Sequence, residues 1–156
     1  MTSSVLQYII EAQAKYSRCI DDDRLEEWPS LFHGPCLYRI TTASNYREGL
    51  EAGIVFANSR GMLIDRVSAL REANIYERQT YRHILGQPSI LSEDGAKVRS
   101  ETSFLVARIL QDGDTSIYAT GRYFDVYEIA DRSAQLQERT VVCDSSRIDT
   151  LLALPL

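Results

Sequence analysis

Apolar residues recur at spacings of three and four near the start of the chain and at a spacing of two from about residue 80 onward. Val5, Ile9, Ala12, Tyr16 and Cys19 lie on one helical face, with Ser4 and Gln7 placed as a capping box. Asp23 and Glu26 form a second box ahead of a short helix through Leu25 and Trp28. Pro29 disfavours helical backbone at the residue before it, so this helix is expected to end at Trp28. Cys36 to Thr42 alternates and carries Tyr38 and Ile40, which predicts a strand. Residues 43–58 show no assignable period, because Gly49 and Gly53 interrupt an apolar stretch. Leu63, Val67 and Leu70, continuing toward Asn74, predict a third helix capped by Asn58 or Ser59.

The period-two region divides into four strands: 80–91, 97–110, 115–129 and 134–144. Asp112-Gly113 and the run Asp131 to Ser133 are turn signals between them. Strand 97–110 begins half-polar and becomes apolar on both faces from Phe104 to Leu110. Gly121 inside the third strand predicts a bulge or sharp bend. Helices followed by an antiparallel meander give an α+β domain, its bent sheet wrapped as a cone around the N-terminal helices. The chain shows no repeat, linker or low-complexity segment, so one domain over 1–156 is expected.

Composition narrows the function classes. The 156 residues are 44% hydrophobic and 25% charged, ordinary for a soluble globular chain. The net charge is −5 and no run of Lys or Arg exists, which argues against nucleic acid as a partner. Two histidines, His33 and His83, and three separated cysteines give no zinc or iron–sulfur spacing, so no metal or cofactor site is expected in this chain. The cysteine spacing suits a reducing compartment rather than a disulfide framework. Met-Thr-Ser-Ser lacks the basic start of a signal peptide, and the apolar run Ile54–Ala57 is far too short to span a membrane. A cytoplasmic location without membrane contact is expected.

Three chemistries are conceivable within the chain. His83 with Asp22, Tyr38 and Tyr81 could perform acid–base work in the cone; His83 as a strand histidine and Asp21-Asp22-Asp23 as a capping cluster is the plainer reading. Cys143 as a nucleophile lacks a nearby histidine and reads as a buried thiol. A facial-triad iron site would need both histidines, which lie fifty residues apart. The cations point elsewhere. Fifteen Arg stand against two Lys, and Arg60, Arg66, Arg71, Arg78 and Arg82 crowd a segment that also holds Tyr76 and Tyr81. Neither Arg66 nor Arg71 has an acid three or four residues away, so their partners come from elsewhere in the fold or from another chain. Arg and Tyr are enriched in interface cores. Arg66, Arg71, Tyr76, Arg78 and Arg82 are therefore the subunit-interface candidates. A GC-rich genome would also explain the Arg bias, and a solvated face with scattered salt bridges the clustering.

Several stretches carry a family resemblance. They are Asp21-Asp22-Asp23 leading to Glu26-Glu27-Trp28-Pro29-x-Leu31-Phe32, then Cys36-x-Tyr38-Arg39, then Gly61-Met62-Leu63-x-Asp65-Arg66-Val67-x-x-Leu70-Arg71. Tyr81-Arg82-His83-Ile84 and Cys143-Asp144-Ser145 follow. With these motifs the chain resembles the small (β) subunits of bacterial aromatic-ring-hydroxylating dioxygenases. Residues 71–78, 83–90 and 149–156 look most like the terephthalate-oxidising branch, whereas 92–135 resembles it less, and salicylate-type hydroxylases share parts of the pattern. The resemblance implies an NTF2-like (cystatin-like) cone. It implies an α3β3 hexamer whose β subunits form a trimeric base. It places a Rieske 2Fe–2S cluster and a mononuclear Fe(II) in the large (α) subunit, fed by NAD(P)H through a reductase, and a reaction that converts arene and O2 to a cis-dihydrodiol. The small subunit is then structural and supplies no catalytic residue.

A stand-alone dehydratase or isomerase of the same fold, using His83 and Asp22, is the rival expectation. It requires an open polar pocket with His83 in reach of a carboxylate; a cone packed with apolar side chains removes it. A simple ligand-binding or scaffold oligomer is the third.

Overall fold

The computed structural model describes residues 2–50, 53–72, 79–147 and 154–156. Helix α1 (Thr2–Asp21) turns Ile9, Tyr16, Cys19 and Ile20 inward, with Val5 and Ala12 at the margin of the core, as their spacing predicts. It starts ahead of Ser4, and the Gln7 amide donates to Glu11, so the first capping box does not form.

The chain leaves α1 through Asp23, whose φ of 59° is left-handed, and enters a 3-10 helix over Leu25–Leu31. Arg24 occupies the N-cap position without a side-chain capping bond, so the second box also fails. This helix runs through Pro29 rather than ending at Trp28. The penalty before proline is local, and burial outweighs it. Trp28 is fully buried, its ring edge-on to Phe32 and Tyr38 at centroid distances of 5.7 and 5.1 Å.

Strand β1 (Phe32–Thr42) starts earlier than the alternation from Cys36 suggests. The stretch without a clear period resolves into α2 (Ala43–Arg47), capped by the Thr42 hydroxyl, and a short strand β2 (Val55–Ala57). Helix α3 (Arg60–Glu72) buries Leu63, Val67 and Leu70. Its cap is Ser59, whose Oγ accepts from the Met62 amide at 3.2 Å. Asn74 lies outside the described residues.

The strand expected over 80–91 is two strands, β3 (Gln79–Leu85) and β4 (Ser89–Asp94). Gly86 to Pro88 separates them, and Pro88 has no N–H to continue a ladder. Both pair with β5 (Lys97–Leu110), β3 along its second half and β4 along its first. Strands β6 (Thr115–Ala130) and β7 (Ser133–Cys143) complete a seven-stranded sheet ordered β2-β1-β7-β6-β5-β3, with β4 beside β5. The two-residue turn Asp131-Arg132 has both φ angles positive, the conformation that matches hairpin twist. β5, β6 and β7 are antiparallel, as expected, but β1 joins β7 in parallel. No hairpin links those two strands, so nothing obliges them to run antiparallel.

Gly121 is not itself a bulge. The register shifts fall near Val106 and Val126. The glycine is needed because the Val142 carbonyl of β7 packs against its Cα, inside the space a Cβ would fill. Helix α1 crosses β3, β6 and β7 on the inner face, and α3 closes over the 3-10 helix and β1. Leu154 and Leu156 are buried in the same core. Helices packed into a curved sheet form the expected α+β cone.

Gly121→Ala is expected to lower stability by about 1–3 kcal/mol, the scale of overpacking a core. Gly34 has nothing near its would-be Cβ. Gly34→Ala should stay within about 0.5 kcal/mol. Paired denaturant titrations check both.

Candidate functional site

His83 lies on the inward face of β3 with a side-chain exposure of 0%. Its partner is Asp21, the last residue of α1. Asp21 Oδ1 lies 2.6 Å from His83 Nδ1, and Oδ2 accepts the His83 backbone N–H at 2.9 Å. The carboxylate can only accept, so Nδ1 carries the proton and Nε2 faces away from it. That Nε2 is buried without a hydrogen-bond partner. One carboxylate thus fixes the ring and occupies an N–H of the outermost strand.

The rival site does not assemble. Asp22 is exposed and lies 3.7 Å from Arg24, away from His83. The Tyr38 hydroxyl donates to the Leu156 backbone oxygen and accepts from its N–H, both at 3.1 Å. Tyr81 stacks on Tyr118 at 5.3 Å. The cone interior where these groups were to meet is filled by Tyr16, Trp28, Phe32, Tyr38 and Leu156. Burial raises the Tyr38 hydroxyl well above its ordinary pKa, against the opposing charge of Arg66, so it is no base. A groove of about 490 Å³ does run between α1 and β3, lined by Gln13, Ser17, Arg18, Asp21, Arg82 and His83 among others. The imidazole sits below its surface. A cleft of about 570 Å³ on the other side of α1 holds Tyr8, Lys15 and His33. His33 Nε2 lies 3.8 Å from Glu128 there, far from His83 in the fold.

The strongest polar constellation was missed in the sequence. Arg139 on β7 is fully buried and forms a two-pronged pair with Asp125 on β6, at 2.9 and 2.8 Å. Its guanidinium lies 3.8 Å from the Tyr123 ring centre and 4.1 Å from that of Tyr16. Tyr127 Oη donates to Asp125 and accepts from Arg139. Burial alone would lower the Arg139 pKa, but the Asp125 charge outweighs it and holds the cation well above its ordinary value. Burial likewise raises Tyr16, Tyr123 and Tyr127. The signal was available: Asp125 and Arg139 occupy inward-facing positions directly opposite each other across the Asp131-Arg132 turn.

The cysteines are buried and unpaired with one another. Burial, aided by Asp144, pushes the Cys143 thiol up to about 12. Burial raises Cys19 to about 11 against the charge of Arg24. Cys36 is also raised by burial, against Arg60. None suits a nucleophile. Among the described residues no three His, Cys, Asp or Glu side chains converge as a metal site.

The arginine segment divides. Arg71 at the end of α3 binds Asp23 and Glu26, through Nη1 and Nε, both at 2.9 Å. The acids read as a capping box are thus the partners that the helix could not supply. Arg60 donates to the Phe32 carbonyl. Arg66 is half-buried beside Tyr38, and Arg82 is exposed on the outer face of β3. Tyr76 and Arg78 lie outside the described residues.

A family model described as "Ring hydroxylating beta subunit" matches residues 15–150. The chain is 52% identical over 143 residues to the Comamonas protein "Terephthalate 1,2-dioxygenase, terminal oxygenase component subunit beta 1", covering 92% of this chain and 93% of the relative. It is 36% identical to the anthranilate 1,2-dioxygenase small subunit of Burkholderia cepacia, over 92% and 89% of the two chains. The crystal structure of the beta subunit of a candidate aromatic-ring-hydroxylating dioxygenase from Novosphingobium aromaticivorans superposes with a TM-score of 0.91 at 39% identity, covering 99% of each chain. A candidate scytalone dehydratase from the same organism gives a TM-score of 0.69 at 18% identity, over 93% and 89%. That last likeness shows the shared NTF2-like fold alone.

Two outcomes follow from this geometry. Asp125→Ala strands a buried cation and should cost about 3–5 kcal/mol, whereas Asp125→Leu with Arg139→Met removes both charges and should recover most of it. Chemical unfolding of the two variants separates these values. At pH 8 only about a thousandth of Cys19 is thiolate. Ellman's reagent should therefore react slowly with the folded chain and rapidly with all three cysteines once guanidinium unfolds it.

Proposed function

The chain belongs to the ring-hydroxylating beta-subunit family, and from that membership we propose that it is the structural, non-catalytic subunit of a terephthalate dioxygenase. Membership makes it part of an oxidoreductase assembly with an α subunit as partner. The observation that carries the non-catalytic role is the filled cone. Tyr16, Trp28, Phe32, Tyr38 and Leu156 occupy the space where an arene would have to sit. His83 is turned into the protein and held by Asp21.

The reaction of the proposed assembly joins O2 to an aromatic dicarboxylate and gives a cis-dihydrodiol. It needs a Rieske cluster and a mononuclear iron. This chain's donors do not fit either group, because its two histidines are far apart and no acid or thiol cluster joins them among the described residues. We place both iron centres in the large subunit, with NAD(P)H supplying electrons through a reductase. The chain, a single domain over 1–156, contributes surface. In our reading it forms a β trimer within an α3β3 hexamer in the cytoplasm. No helix among the described residues is long and apolar enough to cross a membrane. Arg66, Arg71 and Arg82 are proposed near the subunit contacts, together with Tyr76 and Arg78.

Co-expression with the large subunit tests the role. The expected result is a brown, iron-bearing complex that consumes O2 with terephthalate, while this chain alone binds no iron. A catalytic histidine would be worth about 100-fold or more in rate. His83→Gln in the assembled complex should instead keep turnover per iron close to wild type. A loss on that scale with intact assembly, or activity of this chain alone, contradicts the proposal.

A further inference from the structure

The groove between α1 and β3 runs along a free edge of the sheet, because β3 ends the strand order. Backbone groups alternate sides along an antiparallel strand. Gly86 N–H donates to Ser103 beside β3 at 2.8 Å, whereas His83 N–H turns the other way, to Asp21 at 2.9 Å. Leu85 shares the phase of His83, so its N–H also faces the groove, and no described residue accepts from it. A side chain of α1 stands at the same level. Asp21 meets His83, and one end of the next span is fixed by Gln13, whose amide donates to Thr102 at 2.8 Å. Thr102 lies two residues beyond Phe104, the cross-strand partner of Leu85. Four helical residues rise about 6 Å and two strand residues about 6.6 Å. Ser17, midway between Gln13 and Asp21, therefore falls beside Leu85. Ser17 lines the groove, is 7% exposed, and its buried Oγ has no hydrogen-bond partner.

The charged lining of the groove is Arg18, Asp21 and Arg82. Asp21 gives both oxygens to His83, and Asp22 turns to Arg24. Neither Arg18 nor Arg82 has an ion-pair partner among the described residues. Two cations against one engaged carboxylate leave the groove positive, in a chain whose net charge is −5. Ile10, Ala14, Leu85 and Pro88 supply apolar wall. The volume of about 490 Å³ is in the range of small-molecule pockets and far exceeds a bare inorganic oxyanion. An added peptide strand would need an open N–H at every second residue, and Asp21 already holds the one at His83. We propose that this groove binds a small organic carboxylate. Leu85 N–H and Ser17 Oγ donate to its oxygens, Arg18 and Arg82 flank its charge, and its apolar body rests on Ile10, Ala14 and Pro88. Charged acceptors strengthen such hydrogen bonds about twofold over neutral ones. The inference does not depend on the proposed assembly role, because binding is read on this chain alone.

An amide NMR titration of the full chain with benzoate tests it. The Leu85 amide should move among the largest shifts, and the fitted curve gives the dissociation constant. Benzamide keeps the ring and loses the charge, so it should bind about 10-fold more weakly or worse. Inorganic phosphate keeps charge and lacks the apolar body, and should fall behind benzoate by a similar factor. Arg18→Gln and Arg82→Gln should each raise the benzoate dissociation constant about 10-fold, the scale of one charge-assisted contact. Both side chains are exposed, and an unchanged melting temperature verifies that each variant is folded. Ser17→Ala should weaken binding by a smaller factor. Arg47→Gln removes the same charge from α2, outside the groove, and should leave the affinity unchanged. No shift at millimolar benzoate, a Leu85 amide that stays in place, or benzamide bound as tightly as benzoate overturns the inference. So does an equal loss from Arg47→Gln, which would show attraction by net charge alone. Phosphate bound as tightly as benzoate would show a site for inorganic oxyanions and overturn the assignment to an organic carboxylate.

Discussion

Arg139 places a permanent positive charge at the centre of the core, and the surrounding architecture is arranged to hold it. Asp125 meets the guanidinium edge with two hydrogen bonds, and Tyr16 and Tyr123 cover its faces. A one-residue slip between β6 and β7 would turn one of the charges toward the other face of the sheet and leave its partner alone in the interior. The pair therefore specifies register more than it adds stability. Tyr16 belongs to α1 and also donates to the Leu156 backbone at 2.8 Å, a group shared with Tyr38 of β1. One ion pair is thus tied to a helix, three strands and the last buried residues.

The regular periods carried most of the fold. Leu63, Val67 and Leu70 placed α3, with its cap left between Asn58 and Ser59, and alternation placed β5, β6 and β7. The failures came where tertiary contact outweighed local preference. Trp28 draws the 3-10 helix through Pro29. Pro88 divides one apparent strand in two. Asp23 and Glu26 look like a helix cap and serve instead as partners for Arg71, forty-odd residues on. The choice of Asp22 beside His83 missed by one residue for a simple reason. α1 continues to Asp21, so helical phase places Asp21 on the face that already presents Gln13 and Ser17. The family motifs were readable because they lie in contiguous segments. Arg139 with Asp125 was not read as a pair, since that required knowing the hairpin register across the Asp131-Arg132 turn.

The same packing that makes the fold determinate removes room for chemistry. A cone of this class offers an interior, but here aromatic rings and Leu156 fill it, and Arg139 and Asp125 are spent on one another. What remains available is the α1–β3 groove and the outside of the sheet. That face mixes exposed apolar side chains such as Ile84 and Ile117 with polar ones such as the Arg122–Glu101 pair. Arg71 likewise has its cation engaged within the chain.

The buried sulfurs have a consequence for durability. Oxidation of cysteine proceeds through the thiolate and follows exposure. Cys19, Cys36 and Cys143 are all shielded, with thiols that resist ionisation. Peroxide would find no ready thiolate on this chain. Among the described residues, the sulfur most open to it is the thioether of Met62.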